Sequence, residues 1–425
     1  MKFYIYTLGC KVNTYESNVI RDILLKNNFK EINEKEEKAD IYIINTCTVT
    51  NTAHQKSLKM IRRVIKENNN SIVIVIGCDS QVNADIIKEI KGVSIILGNK
   101  NKSKILDYIN EYKENKKQIV DIYDLNNQEF ECMKLDNFNK TRAFVKIQDG
   151  CENFCSYCII PYARGSVRSK DIEDVIEEIT TLVKENHREI VLTGIHTGHY
   201  GSDKDYNFAY LLKQIEKIEG LERVRISSIE INEITDEVLE VINKSKIIVD
   251  HIHIPIQSGC DKTLKEMNRK YDTKFFIDRI NKIREIRPNI SITTDLIVGF
   301  PNETEEDFKI TLETIKKIRF SKIHVFPFSL RKGTKAETIP NHLSEEIKKQ
   351  RVKEIIEISK ELEIEYMDKF INMEVTFIPE IYKDGYLIGH TGNYLQIKYK
   401  GNIEDLNKTL KVKIVKNEYP YSIAI

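Results

Sequence analysis

The sequence predicts an α/β chain in three parts: a small parallel α/β domain, a central partial (β/α)6 barrel, and a small antiparallel β-barrel. Three observations predict this. Apolar, β-branched runs alternate with amphipathic helical stretches through most of the chain. Six such strand–helix units follow residue 140, enough to curl a parallel sheet into an incomplete barrel. Beyond residue 371 the pattern shifts to short alternating runs separated by glycines.

The first part spans residues 1–120. Its strands are Phe3–Leu8, Ile41–Asn45 and Ile72–Gly77, each followed by a polar stretch of helical period. Residues 121–140, rich in Asn, Asp and Glu, read as a polar connector. The second part spans 141–370. Its strands are Ala143–Gln148, Glu189–Thr193, Arg223–Ser227, His251–Ile256, Ser291–Val298 and Lys322–Pro327, with helices such as Ile172–Val183 and Glu303–Ile318 between them. A long helix, Leu343–Phe370, leads out. The third part spans 371–425, with strands Met373–Ile378, Gly385–Thr391, Leu395–Lys400, Lys411–Ile414 and Ser422–Ile425.

Lys and Arg total 66 against 65 Asp and Glu, a net charge of +1. A nucleic-acid partner must therefore be met by local basic patches, because the field of the whole molecule is weak. The start, Met1 to Cys10, lacks a basic region followed by a long apolar one and reads as a strand entering a turn. The longest apolar runs, such as Ile72–Ile76, are strand-sized, so no membrane partner is expected. A soluble, cytoplasmic chain follows as the expectation. There cysteines stay reduced, and the eight cysteines point to metal rather than disulfides.

Cys151, Cys155 and Cys158 form a Cys-x3-Cys-x2-Cys run in the loop after the first barrel strand. Three thiolates at that spacing suit three irons of a [4Fe–4S] cube and leave the fourth iron open to a second molecule. A structural zinc would want a fourth ligand, and no further Cys or His lies nearby in sequence; zinc is the competing reading. Cys10, Cys47 and Cys78 each stand just after a strand of the first part. Loops at the carboxyl ends of parallel strands converge on one edge, so these three read as a second three-ligand cluster site. Cys132, in the connector, reads as an incidental thiol.

For RNA, the helix His54–Lys66 puts Lys56, Lys59, Arg63 and Lys66 on one face. A solvated face is the rival meaning; the position just after a cluster ligand favours phosphate contact. The third part carries seven Lys and no Arg against six acids, which does not separate RNA binding from a solvated surface.

Several ordered motifs are similar to those of one family. They are Thr7-Leu-Gly-Cys-Lys-Val-Asn-Thr-Tyr-Glu-Ser17, Asn45-Thr-Cys-Thr-Val-Thr50, Gly77-Cys78, and the stretch Asp149 to Gly165 containing Cys-Ile-Ile-Pro-Tyr-Ala-Arg-Gly. Pro255-Ile-Gln-Ser-Gly259, Thr294-Asp-Leu-Ile-Val-Gly-Phe-Pro301 and Ser329-Leu-Arg-Lys-Gly-Thr334 add to them. Over essentially its full length the chain resembles the radical S-adenosylmethionine methylthiotransferases. The Gly-Cys-Lys-Val-Asn form most resembles the branch acting on N6-threonylcarbamoyladenosine (t6A) next to the tRNA anticodon. Asp79-Ser80-Gln81 and Asn302 depart from the family pattern without touching a ligand.

The resemblance implies a radical-SAM barrel, a TRAM-like RNA-binding appendage, two [4Fe–4S] clusters and S-adenosyl-L-methionine. It also implies tRNA, through its anticodon stem-loop, as substrate, with an electron-donor protein and a sulfur source as partners. The expected reaction adds a methylthio group to C2 of t6A37. Adenine C2 has no acidic proton, so acid–base catalysis is not expected there. Sister branches act on isopentenyladenosine or on a ribosomal-protein aspartate; a non-catalytic zinc-bearing RNA-binding module is the rival of another class. Tyr157 is the expected adenine-packing aromatic, against a plain packing role. Gly194 would admit the methionyl part, against a turn role. Ser228 and Glu230 stand where ribose hydroxyls are expected, Gln257 and Ser258 close the fourth strand, and Arg164 is expected at the cofactor carboxylate or a phosphate.

Overall fold

The computed structural model describes residues 1–138 and 140–425. Six strands form the first sheet: β1 (Lys2–Thr7), β2 (Lys30–Glu31), β3 (Ile41–Thr46), β4 (Ile72–Gly77), β5 (Ile95–Leu97) and β6 (Ile119–Asp121). All pair in parallel, in the order β2-β1-β3-β4-β5-β6. The strands β3 and β4 are buried throughout because both faces are covered. Ile41, Ile43, Ile72 and Ile74 face α1 (Lys11–Lys26), against Val19, Ile20 and Leu24. The alternate residues Tyr42, Ile44, Val73 and Val75 face α2 (Asn51–Glu67), against Leu58, Ile61 and Val64. Thr50 starts α2 by accepting a hydrogen bond from the Ala53 amide at 3.1 Å. A short helix, α3 (Cys78–Val82), follows β4 directly.

The connector does more than link. Met133, Leu135 and Phe138 are buried in the main core, and Phe138 lies 5.1 Å from the Phe144 ring. Sparse apolar residues in a polar stretch gave no period to read. Cys132 is exposed and its thiol donates to Asp174 at 3.2 Å.

The central part contains β7 (Arg142–Asp149), β8 (Arg168–Ser169), β9 (Glu189–Gly194), β10 (Arg223–Ile226), β11 (His251–His253), β12 (Ser291–Val298) and β13 (Lys322–Pro327). They run β10-β9-β7-β8 and β11-β12-β13, with single bridges Val224–Ile248 and Ser228–His253 joining the two groups. Six parallel strands thus curl round, with β8 a short antiparallel ribbon beside β7. Their outer faces (Val145, Ile147, Ile190, Leu192, Ile226, Ile292) share one apolar core with the surrounding helices.

Helix Glu345–Asp368 crosses β13 and leads to β14 (Glu374–Lys383), β15 (Tyr386–Thr391), β16 (Gln396–Lys400), β17 (Leu410–Glu418) and β18 (Tyr421–Ala424). These close as β14-β15-β16-β18-β17. Every pair is antiparallel except β16–β18. An odd number of strands cannot alternate direction all the way round a closed barrel, so one parallel pair is required. Among the described residues, no helix is long and apolar enough to cross a membrane.

Candidate active site

Strands β1, β3 and β4 are neighbours, in register through Thr7–Asn45 and Thr46–Gly77, so the residues just past their ends meet at one edge. Cys10, Cys47 and Cys78 stand there. Two glycines make the approach possible. Gly9 has φ +99°, and a Cβ on it would lie 2.8 Å from the Cys47 Cβ; at Gly77, φ +102°, it would lie 2.5 Å from the Asn45 side-chain oxygen. Side chains of α1 lace the edge together. Asn13 donates to the carbonyls of Leu8 (2.8 Å) and Thr46 (3.0 Å), and Asn45 donates to Asn13 O (2.9 Å) and Ser17 Oγ (3.0 Å). Cys47 and Cys78 are buried and Cys10 is open to solvent. Burial pushes the Cys47 thiol up to about 12, with the neighbouring Cys78 and Cys10 adding to it.

Two arginines of the central part reach this edge. The Arg164 Nε donates to Cys78 Sγ at 3.2 Å, while its terminal nitrogens meet Glu16 (2.6 Å), Asp149 (3.2 Å) and Asn13 (2.9 Å). It is fully buried. The donors of Arg164, expected at a cofactor carboxylate or a phosphate, are here directed to Cys78, Glu16, Asp149 and Asn13. Arg331 donates to Thr48 Oγ1, and its buried Nε has no partner among the described residues. The Asn51 amide donates to Ser329 at 3.1 Å, tying the same loop to the start of α2. Asp79, the departure next to Cys78, accepts from Asn83 (2.7 Å) and pairs with His54 Nδ1 (2.7 Å).

The second triplet sits at the end of β7. Its loop is pinned to other strand-end loops: Ser156 accepts from the Ala336 amide (2.7 Å) and donates to Met267 O (3.0 Å) and Glu266 O (2.6 Å). Arg269 Nη1 donates to Cys155 Sγ at 3.3 Å and pairs with Glu230 at 2.8 Å, leaving a buried Nη2 without a partner among the described residues. His196 Nδ1 lies 3.8 Å from Cys151 Sγ, its ring paired with Glu233 and stacked 3.9 Å from His199. Burial pushes Cys158 up to about 12.

These surroundings fit iron–sulfur clusters. Each triplet has a guanidinium donating to a sulfur, the arrangement that stabilises thiolate held by a cluster. One tetrahedral zinc, with Zn–S near 2.3 Å, would demand sulfurs roughly 3.8 Å apart. Among the described residues, only His196, His199 and Glu233 form a group gathered within 4.8 Å; neither cysteine triplet is that tight.

The remaining expected residues surround the second triplet unevenly. Tyr157 is half-buried among Met267, Phe300, Phe328 and Ala336. A Cβ on Gly194 would meet Gln148 Oε1 at 3.0 Å. Ser228 is exposed, bridging to His253, and Glu230 is held by Arg269. Gln257 has φ +64° and pairs with Leu296. Ser258 is wholly buried and accepts from the Cys260 amide at 3.2 Å, a local bond at the start of the next helix. Glu16, His196, Glu233 and Arg269 were not foreseen. His196 stands two residues beyond Gly194, which was a usable signal; Arg269 had none.

Residues 145–315 match the model of the radical SAM superfamily, and residues 2–98 match an uncharacterized protein family, UPF0004. The chain is 45% identical to threonylcarbamoyladenosine tRNA methylthiotransferase MtaB of Bacillus subtilis, covering 98% of this chain and 94% of that protein. The chain belongs to the radical SAM methylthiotransferase family. Another member, tRNA-2-methylthio-N(6)-dimethylallyladenosine synthase of Clostridium tetani, is 37% identical over 97% of this chain and 94% of its own. Among solved structures, the radical S-adenosylmethionine methyltransferase TsrM of Kitasatospora setae shares the fold, with TM-score 0.57, 13% identity, and 76% and 72% of the two chains covered. This methylthiotransferase therefore combines a radical SAM barrel with the three-cysteine sheet edge of its first part.

Proposed function

We propose that the chain adds a methylthio group to C2 of N6-threonylcarbamoyladenosine at position 37 of tRNA, giving 2-methylthio-t6A. One observation supports the reading: Arg164 donates to Cys78 of one triplet and to Asp149, two residues before Cys151 of the other. The 45% identical relative named for this substrate supports the choice of branch.

As a radical SAM protein the chain uses S-adenosylmethionine and a [4Fe–4S] cluster. In this reading Cys151, Cys155 and Cys158 hold that cluster, and Cys10, Cys47 and Cys78 hold a second. When bound, the first supplies the electron that cleaves S-adenosylmethionine and the second supplies an open iron for sulfur. The protein's own work is placement. Tyr157, Gly194, Ser228, Glu230 and Gln257 bound the cofactor's place, Arg269 brings an unpaired buried donor there, and Arg164 fixes the distance between the triplets. The parts divide as residues 1–120, 141–370 and a TRAM-like RNA-binding unit at 371–425. A cytoplasmic location, an electron-donor protein and a separate sulfur source complete the proposal.

Anaerobic reconstitution and nucleoside mass spectrometry test it. About eight irons per chain are expected, falling to about four in Cys47→Ala and in Cys158→Ala. Cys47→Ala keeps cleaving S-adenosylmethionine and Cys158→Ala does not. Cells lacking the gene lose the methylthio mark on t6A. Loss from isopentenyladenosine instead, unchanged tRNA, or stoichiometric zinc without cofactor cleavage would each refute the proposal.

A further inference from the structure

One buried side chain locks the loop carrying Cys151 to the loop after β9. Gln148, wholly buried near the end of β7, donates to the carbonyls of Asp149 (2.7 Å) and Gly150 (2.8 Å) and accepts from the His196 amide (2.7 Å). The Cys151 amide in turn donates to Gly165 O at 3.0 Å. Backbone is thus fixed on both sides of the 3.8 Å approach between His196 Nδ1 and Cys151 Sγ.

The far side of the ring is held as firmly. His196 Nε2 pairs with a carboxylate oxygen of Glu233, and that same oxygen lies 3.4 Å from His199 Nε2. Gly198 makes room for it, because a Cβ there would overlap the Glu233 carboxylate. Glu233 is anchored in its turn by accepting from the Glu230 amide at 3.3 Å. Two histidines and a glutamate have the chemistry of a metal site. Ligands to one ion spread round it, whereas these rings stack with centroids 3.9 Å apart and share one carboxylate oxygen. The group is a clamp on His196.

We infer that His196 is a positioning residue for the cluster on Cys151, Cys155 and Cys158, donating Nδ1–H to the Cys151 thiolate and raising the cluster's reduction potential. This rests on the assignment of that triplet in the function proposed above. A thiolate on one side and a carboxylate on the other both accept, so the ring serves them as a double donor. A hydrogen bond to a ligating sulfur draws charge from it and favours the reduced state. Arg269 does this for Cys155 at 3.3 Å, and His196 is the matching donor for Cys151.

A redox titration followed by electron paramagnetic resonance, in the Cys47→Ala background where the other triplet is broken, tests this. At a fixed poise His196→Phe is expected to lower the ratio of reduced to oxidised cluster about tenfold, equivalent to about 59 mV for one electron. His196→Asn, which keeps an N–H donor, restores part of it. Glu233→Gln leaves the ring in place but weakens its second acceptor, and moves the ratio the same way; it decides the matter if His196→Phe takes up no iron. A ratio unchanged or raised in the deciding variant would overturn the inference, as would a His196→Asn ratio as low as that of His196→Phe. A Cys47→Ala chain that takes up no iron would instead remove the triplet assignment beneath it.

Discussion

Glu16→Gln probes the buried joint between the two cysteine sites. Glu16 is 1% exposed. Its carboxylate meets Arg164 at 2.6 Å and Lys146 at 2.9 Å, and also accepts from Lys102. Burial alone would push this carboxyl up, but Arg164, Lys102 and Lys146 together outweigh it and hold it well below the usual carboxylate range. Asp149 is the other acid in the group, against Lys146 (2.6 Å), Arg164 (3.2 Å) and Arg168 (3.8 Å). The joint already holds more cations than carboxylates, and the substitution leaves Asp149 alone with four of them. Removing one partner of a buried pair costs about 3–5 kcal/mol, a large share of the ~5–15 kcal/mol that holds typical domains folded. Denaturant unfolding of the metal-free chain, followed by tyrosine fluorescence and circular dichroism, measures it without cluster stabilisation. A second substitution, Lys102→Met, should return part of the loss by removing one stranded charge. A destabilisation below about 1 kcal/mol, or no recovery in the double variant, would mean that water rather than Glu16 neutralises these cations.

The same site sets a pH dependence. Glu16 has a lowered folded pKa, so its contribution is complete above the unfolded carboxylate range and is lost as pH falls through the folded value. The gap in melting temperature between wild type and Glu16→Gln should stay constant near neutrality and close below about pH 4. Gly9→Ala should cost about 1–3 kcal/mol through its φ of +99° and displace Cys47, so reconstituted protein should carry about four irons; eight would refute the packing argument. Tyr394→Ala removes stacking on His251 and His390, each at 4.7 Å, worth about 1–3 kcal/mol together; limited proteolysis should then release the carboxyl-terminal barrel faster. Lys56 and Lys59 are exposed on α2, whereas Arg63 is paired with Glu34 at 2.6 Å. Neutralising the two lysines should lower the salt slope of tRNA binding by about one to two, and an unchanged slope would return this face to solvent.

What was legible in the sequence and what was not divide along a physical line. The strand ends bearing Cys10, Cys47 and Cys78 were readable because two short-range patterns, period-two apolar runs and a cysteine after each, combine with the rule that parallel strands share a carboxyl edge. The partners of those cysteines were not readable. Glu16, Lys102, Asp149 and Arg164 are drawn from four separate elements, and each in isolation looks like a surface charge. Only the packing of α1 against β7 makes them neighbours and removes them from water. The same logic explains why Arg164 was expected at a ligand: an arginine beside a cluster loop is a natural anion contact until a buried glutamate from the other part occupies it. Once Glu16 and Asp149 hold that guanidinium, its Nε has a fixed direction, and the direction is toward Cys78. A residue next to one triplet in sequence therefore acts on the other in space, which makes the separation of the two sulfur sites a property of this salt-bridged joint rather than of either part alone.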